Sequence, residues 1–314
     1  MLALVHGAAR AEVAPEQGGG LWSLTVEGRP ALSAGAGRPD RSPFALALNL
    51  LLPFSNRISG GGFEADGRFH ALSPNLDGEP FPIHGDAFQR PWVPVSHTES
   101  EAVLRLSEGA FGPFRYEAEV AYRLASGRLR VDLSLVSRSE VALPWGLGFH
   151  PWFPRSPGTR LRFEATSVWP QDDRHLPATR EPRPIPEAWD FSTSSALPPG
   201  WLNTAFAGWD GEAEIRQDGA AVPLRLSAPG LGTLIVYSPS GDAPFLCVEP
   251  VSHPVDAHNL PGRPGLVRLA PGEALGATMT LSWGAGNARG DPPGGTPHAS
   301  QPPIPTDPTS GDLS

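Results

Sequence analysis

The sequence predicts an all-β protein, built as a sandwich or barrel of many short strands. Short apolar runs recur along the chain, and Gly and Pro, which number 36 and 38 of the 314 residues, separate them. No segment keeps the 3.6-residue period of a helix across three turns, although 204–209 could form a short one. Many short strands with frequent turn residues are typical of sandwiches and barrels.

The clearest strand pair is a hairpin at 116–124 and 129–135. In the first strand aromatic and aliphatic residues share one face, and in the second Leu and Val alternate with Arg, Asp and Ser. The turn between them is Ala125-Ser126-Gly127. Further strands are predicted at 21–26, 44–52, 103–106, 161–165, 213–216, 224–228, 231–237, 266–269 and 274–283.

The chain is predicted to form one β domain at 1–284 and a disordered tail at 285–314. The tail has seven Pro and five Gly in thirty residues and no aromatic residue. It therefore cannot bury enough apolar surface to offset its ordering entropy. A second segment, 170–200, is rich in Pro, Asp and Arg, and is predicted to be a surface excursion of a kind that can line a functional site.

Composition and charge exclude several classes of function. A net charge of −9 without a basic cluster argues against a nucleic-acid partner. All 24 basic residues are Arg, which excludes a lysine Schiff base or a phosphate-loop lysine. Cys247 is the only cysteine, so no intramolecular disulfide forms, and its expected role is packing.

The N-terminus lacks the charged region and long apolar run of a signal peptide. No apolar run approaches the ~20 residues needed to cross a bilayer. We therefore expect a soluble, cytoplasmic protein without a membrane partner, either a monomer or a homodimer.

Glu249 is the first candidate for chemistry, because it ends the apolar run 244–249. In a strand, Phe245, Cys247 and Glu249 point one way, and Leu246 and Val248 point the other. An ionisable group on so apolar a strand is costly unless a partner or substrate compensates. The alternative is a Glu that has left the strand and lies in water.

Four motifs follow one another along the chain. They are Pro53-Phe54-Ser55-Asn56-Arg57-Ile58, His84-Gly85 with Arg90-Pro91-Trp92, Gly148-Phe149-His150-Pro151-Trp152-Phe153, and Glu249-Pro250. In this order and spacing, over roughly residues 5–284, the chain resembles the aldose 1-epimerase (galactose mutarotase-like) family. The resemblance implies a large antiparallel β-supersandwich that binds a free monosaccharide in a cleft on one sheet.

The resemblance also implies roles for the matching residues: Glu249 as base, His150 as acid, and Arg57, with Asn56, and His84 as sugar-binding groups. Interconverting the α and β anomers of a sugar needs one base at the C1 hydroxyl and one acid at the ring oxygen. Glu and His suit these tasks because their pKa values can be tuned towards neutral pH. No metal or organic cofactor is needed, and none is expected.

Each of these residues also has a purely structural interpretation. His150 could be a hydrogen-bonded core histidine, His84 could close a turn, and Arg57 could be an ordinary surface arginine. One departure from the family concerns Asn203, where many members have Asp. Asn accepts and donates hydrogen bonds but carries no charge, so the usual hexose preference does not transfer directly to this sugar-binding position.

The favoured function is a mutarotase that acts on an unphosphorylated or unusual monosaccharide. The alternative is a non-catalytic sugar-binding or sensing protein on the same scaffold. A glycosidase ordinarily needs two carboxylates flanking the bond, and only one is well placed here. A metal-dependent cupin-like enzyme would need clustered ligands, which His84, His150 and Glu249 only approximate.

Overall fold

The computed structural model describes residues 1–32, 45–218 and 223–284. Within these ranges lie 23 strands and two single-turn 3-10 helices, Ala87–Gln89 and Glu187–Trp189. The strands are β1 (Leu2–His6), β2 (Ala9–Val13), β3 (Leu21–Val26), β4 (Arg29–Leu32), β5 (Leu48–Leu51), β6 (Gly62–Ala65), β7 (Arg68–Ala71), β8 (Val93–His97), β9 (Glu101–Phe111), β10 (Phe114–Ala125), β11 (Arg128–Ser137), β12 (Leu143–Trp145), β13 (Gly148–Pro154), β14 (Arg160–Phe163), β15 (Ser167–Trp169), β16 (Ser195–Ala196), β17 (Leu202–Ala207), β18 (Glu212–Arg216), β19 (Leu224–Ser227), β20 (Thr233–Ser238), β21 (Phe245–Val251), β22 (Val267–Leu269) and β23 (Ala274–Ser282).

Two large antiparallel sheets form the body of the protein. The first has ten strands in the order β1-β2-β3-β5-β13-β21-β20-β17-β15, with β4 paired to β3. The second has nine strands in the order β16-β14-β18-β19-β23-β11-β10-β9-β8. Two small two-stranded ribbons, β12-β22 and β6-β7, complete the described part. The predicted all-β sandwich is therefore confirmed.

One hydrophobic core joins the inner faces of the two sheets. It contains Leu246 and Val248 from the ten-stranded sheet, and Val120 and Leu133 from the nine-stranded sheet, all fully or almost fully buried. Val120 and Leu133 face one another in the predicted hairpin, which pairs from Tyr116↔Ser137 to Ala125↔Arg128. Burial of alternate residues on both sheets is the main stabilising contribution to this fold.

The possible short helix at 204–209 is wrong. Residues 202–207 form β17, which pairs with β20 from Leu202↔Ser238 to Ala207↔Thr233. Alternation explains the outcome, because Leu202 and Phe206 enter the core at 0% exposure. Residues four apart also share a face in a helix, so the strand is marked by Ala205, which lies between them and packs into a second apolar cluster on the opposite face of the sheet.

The other face of the ten-stranded sheet carries the candidate site. Because the side-chain period of a strand is two, Phe245, Cys247 and Glu249 point away from the core that holds Leu246 and Val248. A second apolar cluster lies on this outer face and includes Ile235, Ala205 and Trp169 from the sheet. Leu176, from the predicted excursion at 170–200, packs into this cluster. The excursion therefore covers part of the outer face.

Two sequence expectations extend beyond these observations. The tail at 285–314 lies outside the described residues, and the division of the chain at residue 284 remains a prediction. Among the described residues, no helix has the length and apolar character required to span a membrane.

Candidate active site

His150 and Glu249 lie on neighbouring strands and contact each other. Strand β13 pairs with β21 so that Gly148 faces Val251 and Trp152 faces Cys247, which sets His150 opposite Glu249. The imidazole Nε2 of His150 is 3.3 Å from Oε1 of Glu249. Both residues are buried, with 5% and 2% of their surface exposed. The alternative of a water-exposed Glu249 is therefore wrong.

Burial governs the protonation of this pair. It raises the pKa of Glu249 from 4.5 to about 8, and the positive charge of Arg57 lowers that pKa again in part. Burial also lowers the pKa of His150 from 6.5 to about 3. Near neutral pH the pair therefore holds a single proton and no net charge, with the proton favoured on the carboxyl group. Among the described residues, Oε2 of Glu249 has no hydrogen-bond partner.

His84 reaches the pair from a tight turn. Its ring centroid is 5.4 Å from that of His150, in an edge-on arrangement. The backbone N–H of Asn56 donates to Nδ1 of His84 at 3.0 Å, so the neutral ring carries its proton on Nε2. Burial, reinforced by His150, holds the pKa of His84 well below 6.5. His84 therefore remains a neutral N–H donor at physiological pH.

The turn containing His84 depends on unusual backbone conformations. His84 and Asn56 both have positive φ, 60° and 57°, and the N–H of His84 donates to the carbonyl of Asn56 at 3.0 Å. Gly85 also has φ of 66°, and a Cβ there would lie 2.0 Å from the carbonyl oxygen of Leu52. His84 thus closes a turn, as its structural interpretation expected, and also faces His150. Positive φ at non-glycine residues is concentrated at functional sites.

Arg57 is held by a carboxylate that the sequence analysis did not identify. Its Nε donates to Oε2 of Glu79 at 2.9 Å and its Nη2 to Oε1 at 2.7 Å. Its Nη1 donates to Oδ1 of Asn56 at 3.3 Å. Arg57 is only 9% exposed, so it is not an ordinary surface arginine. A bidentate pair of this kind fixes the guanidinium plane.

Buried polar residues behind the site hold the loop 53–59 in place. Asp256 accepts hydrogen bonds from the N–H and the hydroxyl of Ser59, at 2.8 and 2.7 Å. Nε2 of His253 accepts from the N–H of Ser55 at 3.1 Å. Both partners follow β21 in sequence, so the strand that carries Glu249 also anchors the loop that carries Arg57 and Asn56.

Trp152 and Asn49 complete the wall next to His150. The indole of Trp152 stacks on the His150 ring with centroids 4.9 Å apart and planes at 18°. Its Nε1 donates to Oδ1 of Asn49 at 3.2 Å, and Asn49 pairs with His150 across β5 and β13. A detectable signal for Asn49 was its polarity inside the apolar run 44–52. Glu79 offered no such signal, because its partner lies 22 residues away.

Asn203 lies on the same face but farther from the pair. It pairs with Tyr237, which in turn pairs with Cys247 on β21, so two strand spacings separate it from Cys247. Its Oδ1 accepts a long hydrogen bond, 3.5 Å, from Nε2 of Gln171. The fold therefore brings His150, Glu249, His84, Arg57 and Asn56 together and places Asn203 at the edge of their group.

The residues best placed for a metal ion are His150, Cys247 and Glu249. Their ligand atoms lie within 4.8 Å of one another. This separation is wide for ligands that bind zinc at about 2.0–2.3 Å each. Burial, together with the nearby Glu249, also raises the pKa of the Cys247 thiol well above its usual value, which opposes the thiolate form that binds metals. The donor set therefore fits a metal ion poorly.

Known proteins match this chain over most of its length. The sequence model of the aldose 1-epimerase family matches residues 1–282. The uncharacterized protein YphB of Escherichia coli K12 is 35% identical over 289 residues, covering 88% of this chain and 97% of that protein.

Solved structures share the architecture. An Escherichia coli K12 protein provisionally named aldose 1-epimerase superposes with a TM-score of 0.84 at 30% identity, covering 90% of this chain and 98% of that chain. Galactose 1-epimerase from Lactobacillus acidophilus NCFM has a TM-score of 0.71 at 18% identity, covering 91% of this chain and 94% of that chain, which shows a common fold. The motif order, the fold and the family match agree: this chain belongs to the aldose 1-epimerase family.

Proposed function

We propose that this protein is a mutarotase that interconverts the α and β anomers of a free, unphosphorylated sugar. The observation that carries the proposal is the buried contact between His150 and Glu249, two groups that together hold one proton. Anomer exchange requires one proton to leave the sugar and one to arrive, so a pair with a single proton satisfies the balance.

In the proposed mechanism Glu249, as carboxylate, removes the proton from the C1 hydroxyl, and His150, as imidazolium, protonates the ring oxygen. The electrons of the O1–H bond form the aldehyde C=O bond, and those of the C1–O5 bond remain on O5, which takes the proton from His150. C1 then turns about the C1–C2 bond. Ring closure on the other face reverses both proton transfers, so each group serves as acid and as base.

The protonation state of the free pair bears on this assignment. The neutral form, with protonated Glu249 and neutral His150, contains the same number of protons as the ionic form. A proton shift across the 3.3 Å contact interconverts them. The positive charge of Arg57 stabilises the carboxylate form of Glu249, which favours the ionic form.

Positioning is proposed for three further groups. His84 would donate its Nε2–H to a sugar oxygen, and the Arg57 guanidinium, fixed by Glu79 and Asn56, would donate to hydroxyl oxygens. Trp152, stacked beside His150, would shield the reacting ring from water. No step requires a metal ion or an organic cofactor.

The test is anomer exchange by NMR on a panel of monosaccharides. The expected result is enhanced exchange for at least one sugar, reduced by at least a hundredfold in both Glu249→Gln and His150→Ala, in line with typical acid–base contributions of 10²–10⁴. Full rates in both variants would refute the assigned roles. Binding of a sugar without enhanced exchange would instead favour the non-catalytic sugar-binding alternative.

A further inference from the structure

A line of aromatic rings leads from the proposed catalytic pair to the protein surface. Trp152, stacked on His150, contacts Phe245 with ring centroids 4.9 Å apart. Phe245 lies 6.1 Å from Tyr237, and Tyr237 lies 5.3 Å from Trp201. Exposure increases along the line, from 7% at Trp152 to 50% at Trp201. Aromatic faces of this kind are suited to contact the apolar faces of sugar rings.

Strand register explains why these rings share one face. Trp152 is opposite Cys247, Cys247 is opposite Tyr237, and Tyr237 is opposite Asn203. Neighbouring strands are about 4.8 Å apart, so the backbone of Asn203 is about 10 Å from that of Cys247. This distance exceeds the span of a single pyranose ring. Glu249 lies two residues farther along its strand than Cys247, so a single sugar ring with C1 at the catalytic pair would end short of Asn203, and Trp201 lies beyond it.

A cavity of about 430 Å³ opens at this outer end and is lined by Trp201, Asn203 and residues of the excursion at 170–200. This volume is within the range of small-molecule sites. The ring of His175 stacks on Trp201 with planes at 24°, which fixes the indole. Oε1 of Gln171 is buried and has no hydrogen-bond partner among the described residues. The cavity thus offers an aromatic surface whose orientation is fixed.

The charges around this cavity favour a neutral occupant. Two carboxylates, Asp172 and Asp173, line it, and no arginine of the described residues does. Arg174 is bound to Asp172 at 3.1 Å with 70% of its side chain exposed. Arg155 does not line the cavity, and its side chain donates to the hydroxyl of Ser238. A phosphate or sulfonate here would therefore meet negative charge, whereas sugar hydroxyls can donate to the carboxylates.

We propose that the substrate is the reducing end of a neutral disaccharide or longer oligosaccharide, with the reducing ring at His150 and Glu249 and the next ring against Trp201. This inference rests on the proposed mutarotase function and names its substrate class. It also assigns a role to the excursion at 170–200, which forms the far wall of the second sugar site.

The experiment compares reducing disaccharides with the monosaccharides that form their reducing ends. Anomer exchange by NMR gives kcat/KM for each sugar separately. The value for glucose is compared with those for maltose and cellobiose, and the value for xylose with that for xylobiose. We expect one disaccharide to exceed its monosaccharide by about tenfold. Trp201→Ala should lower this ratio by about three- to tenfold, which corresponds to a typical aromatic contact, and Trp201→Phe should retain part of it. Trp22→Ala is the matched control, because Trp22 is a 39% exposed tryptophan on a distant strand.

The outcomes separate this proposal from the mutarotase function. Suppose that the protein accelerates anomer exchange of monosaccharides. If it prefers no disaccharide, or if Trp201→Ala leaves the ratio of disaccharide to monosaccharide kcat/KM unchanged, the second sugar site is overturned and the mutarotase function stands. Saturation-transfer NMR measures binding of the same sugars without turnover. If the wild-type protein accelerates no sugar, stronger binding of a disaccharide that is lost in Trp201→Ala supports the site, and equal binding of both sugar sizes overturns it.

Discussion

Replacing Glu249 with Gln tests whether the fold holds a buried carboxyl group in its protonated form. Burial raises the pKa of Glu249 from 4.5 to about 8. The stabilising effect of its protonated form is therefore complete below pH 4.5, and is lost as the pH rises through about 8. Each pKa unit corresponds to about 1.4 kcal/mol, so between pH 5 and pH 9 the wild-type protein loses up to about 4 kcal/mol through this group.

Gln keeps the size of the side chain and cannot ionise. The free energy of unfolding of Glu249→Gln, relative to wild type, should therefore increase by up to about 4 kcal/mol from pH 5 to pH 9. Urea denaturation of both proteins at pH 5, 7 and 9 measures this difference and cancels the titration of all other groups. Glu119→Gln is the matched control, because 43% of the Glu119 side chain is exposed to water. A change smaller than about 1.4 kcal/mol, one pKa unit, would refute the reasoning.

Three further predictions concern the rate, Arg57 and the turn behind the candidate site. The value of kcat/KM for the proposed reaction should fall about tenfold per pH unit above about pH 8. The carboxyl group of Glu249, with its pKa raised to about 8, then leaves the pair without its proton. A rate that stays constant to pH 10 would contradict this. Glu79→Gln should raise KM about tenfold and change kcat less than threefold, because Arg57 loses its bidentate partner. An unchanged KM in steady-state kinetics would show that Glu79 does not orient the guanidinium of Arg57. Gly85→Ala should destabilise the protein by at least about 2 kcal/mol, because its Cβ would meet the carbonyl of Leu52 in addition to the strain of positive φ. Gly78→Ala isolates the φ strain, because Gly78 has φ of 82° and open space around it; equal losses of thermal stability in the two variants would rule out the clash.

Local patterns were enough to predict most strands of the two sheets. Alternation identified the hairpin of β10 and β11, and the prediction at 21–26 has the bounds of β3. The pattern failed at other strands, including the buried strand β17, for which the sequence allowed a short helix, and the exposed strand β8. Residues 93–97 form β8 with all five residues exposed. No buried apolar face marks this strand, and it is held by pairing with β9.

The site could be predicted in part. His150, Glu249, His84 and Arg57 were identified by the order of four motifs, and the structure brings them together. Glu79 and Trp201 were not singled out. A carboxylate in a polar loop and a tryptophan beside a strand are common, and only the contacts with Arg57 and Tyr237 distinguish them.

The sequence by itself determined the β architecture, the faces of its strands and the residue types available for acid–base chemistry, because these depend on side-chain periodicity and local composition. The tertiary structure alone decided that His150 and Glu249 lie 3.3 Å apart, and that burial shifts the pKa of Glu249 upward and that of His150 downward. These properties arise from strands about 100 residues apart in sequence that exclude water between them, and desolvation cannot be derived from either strand alone.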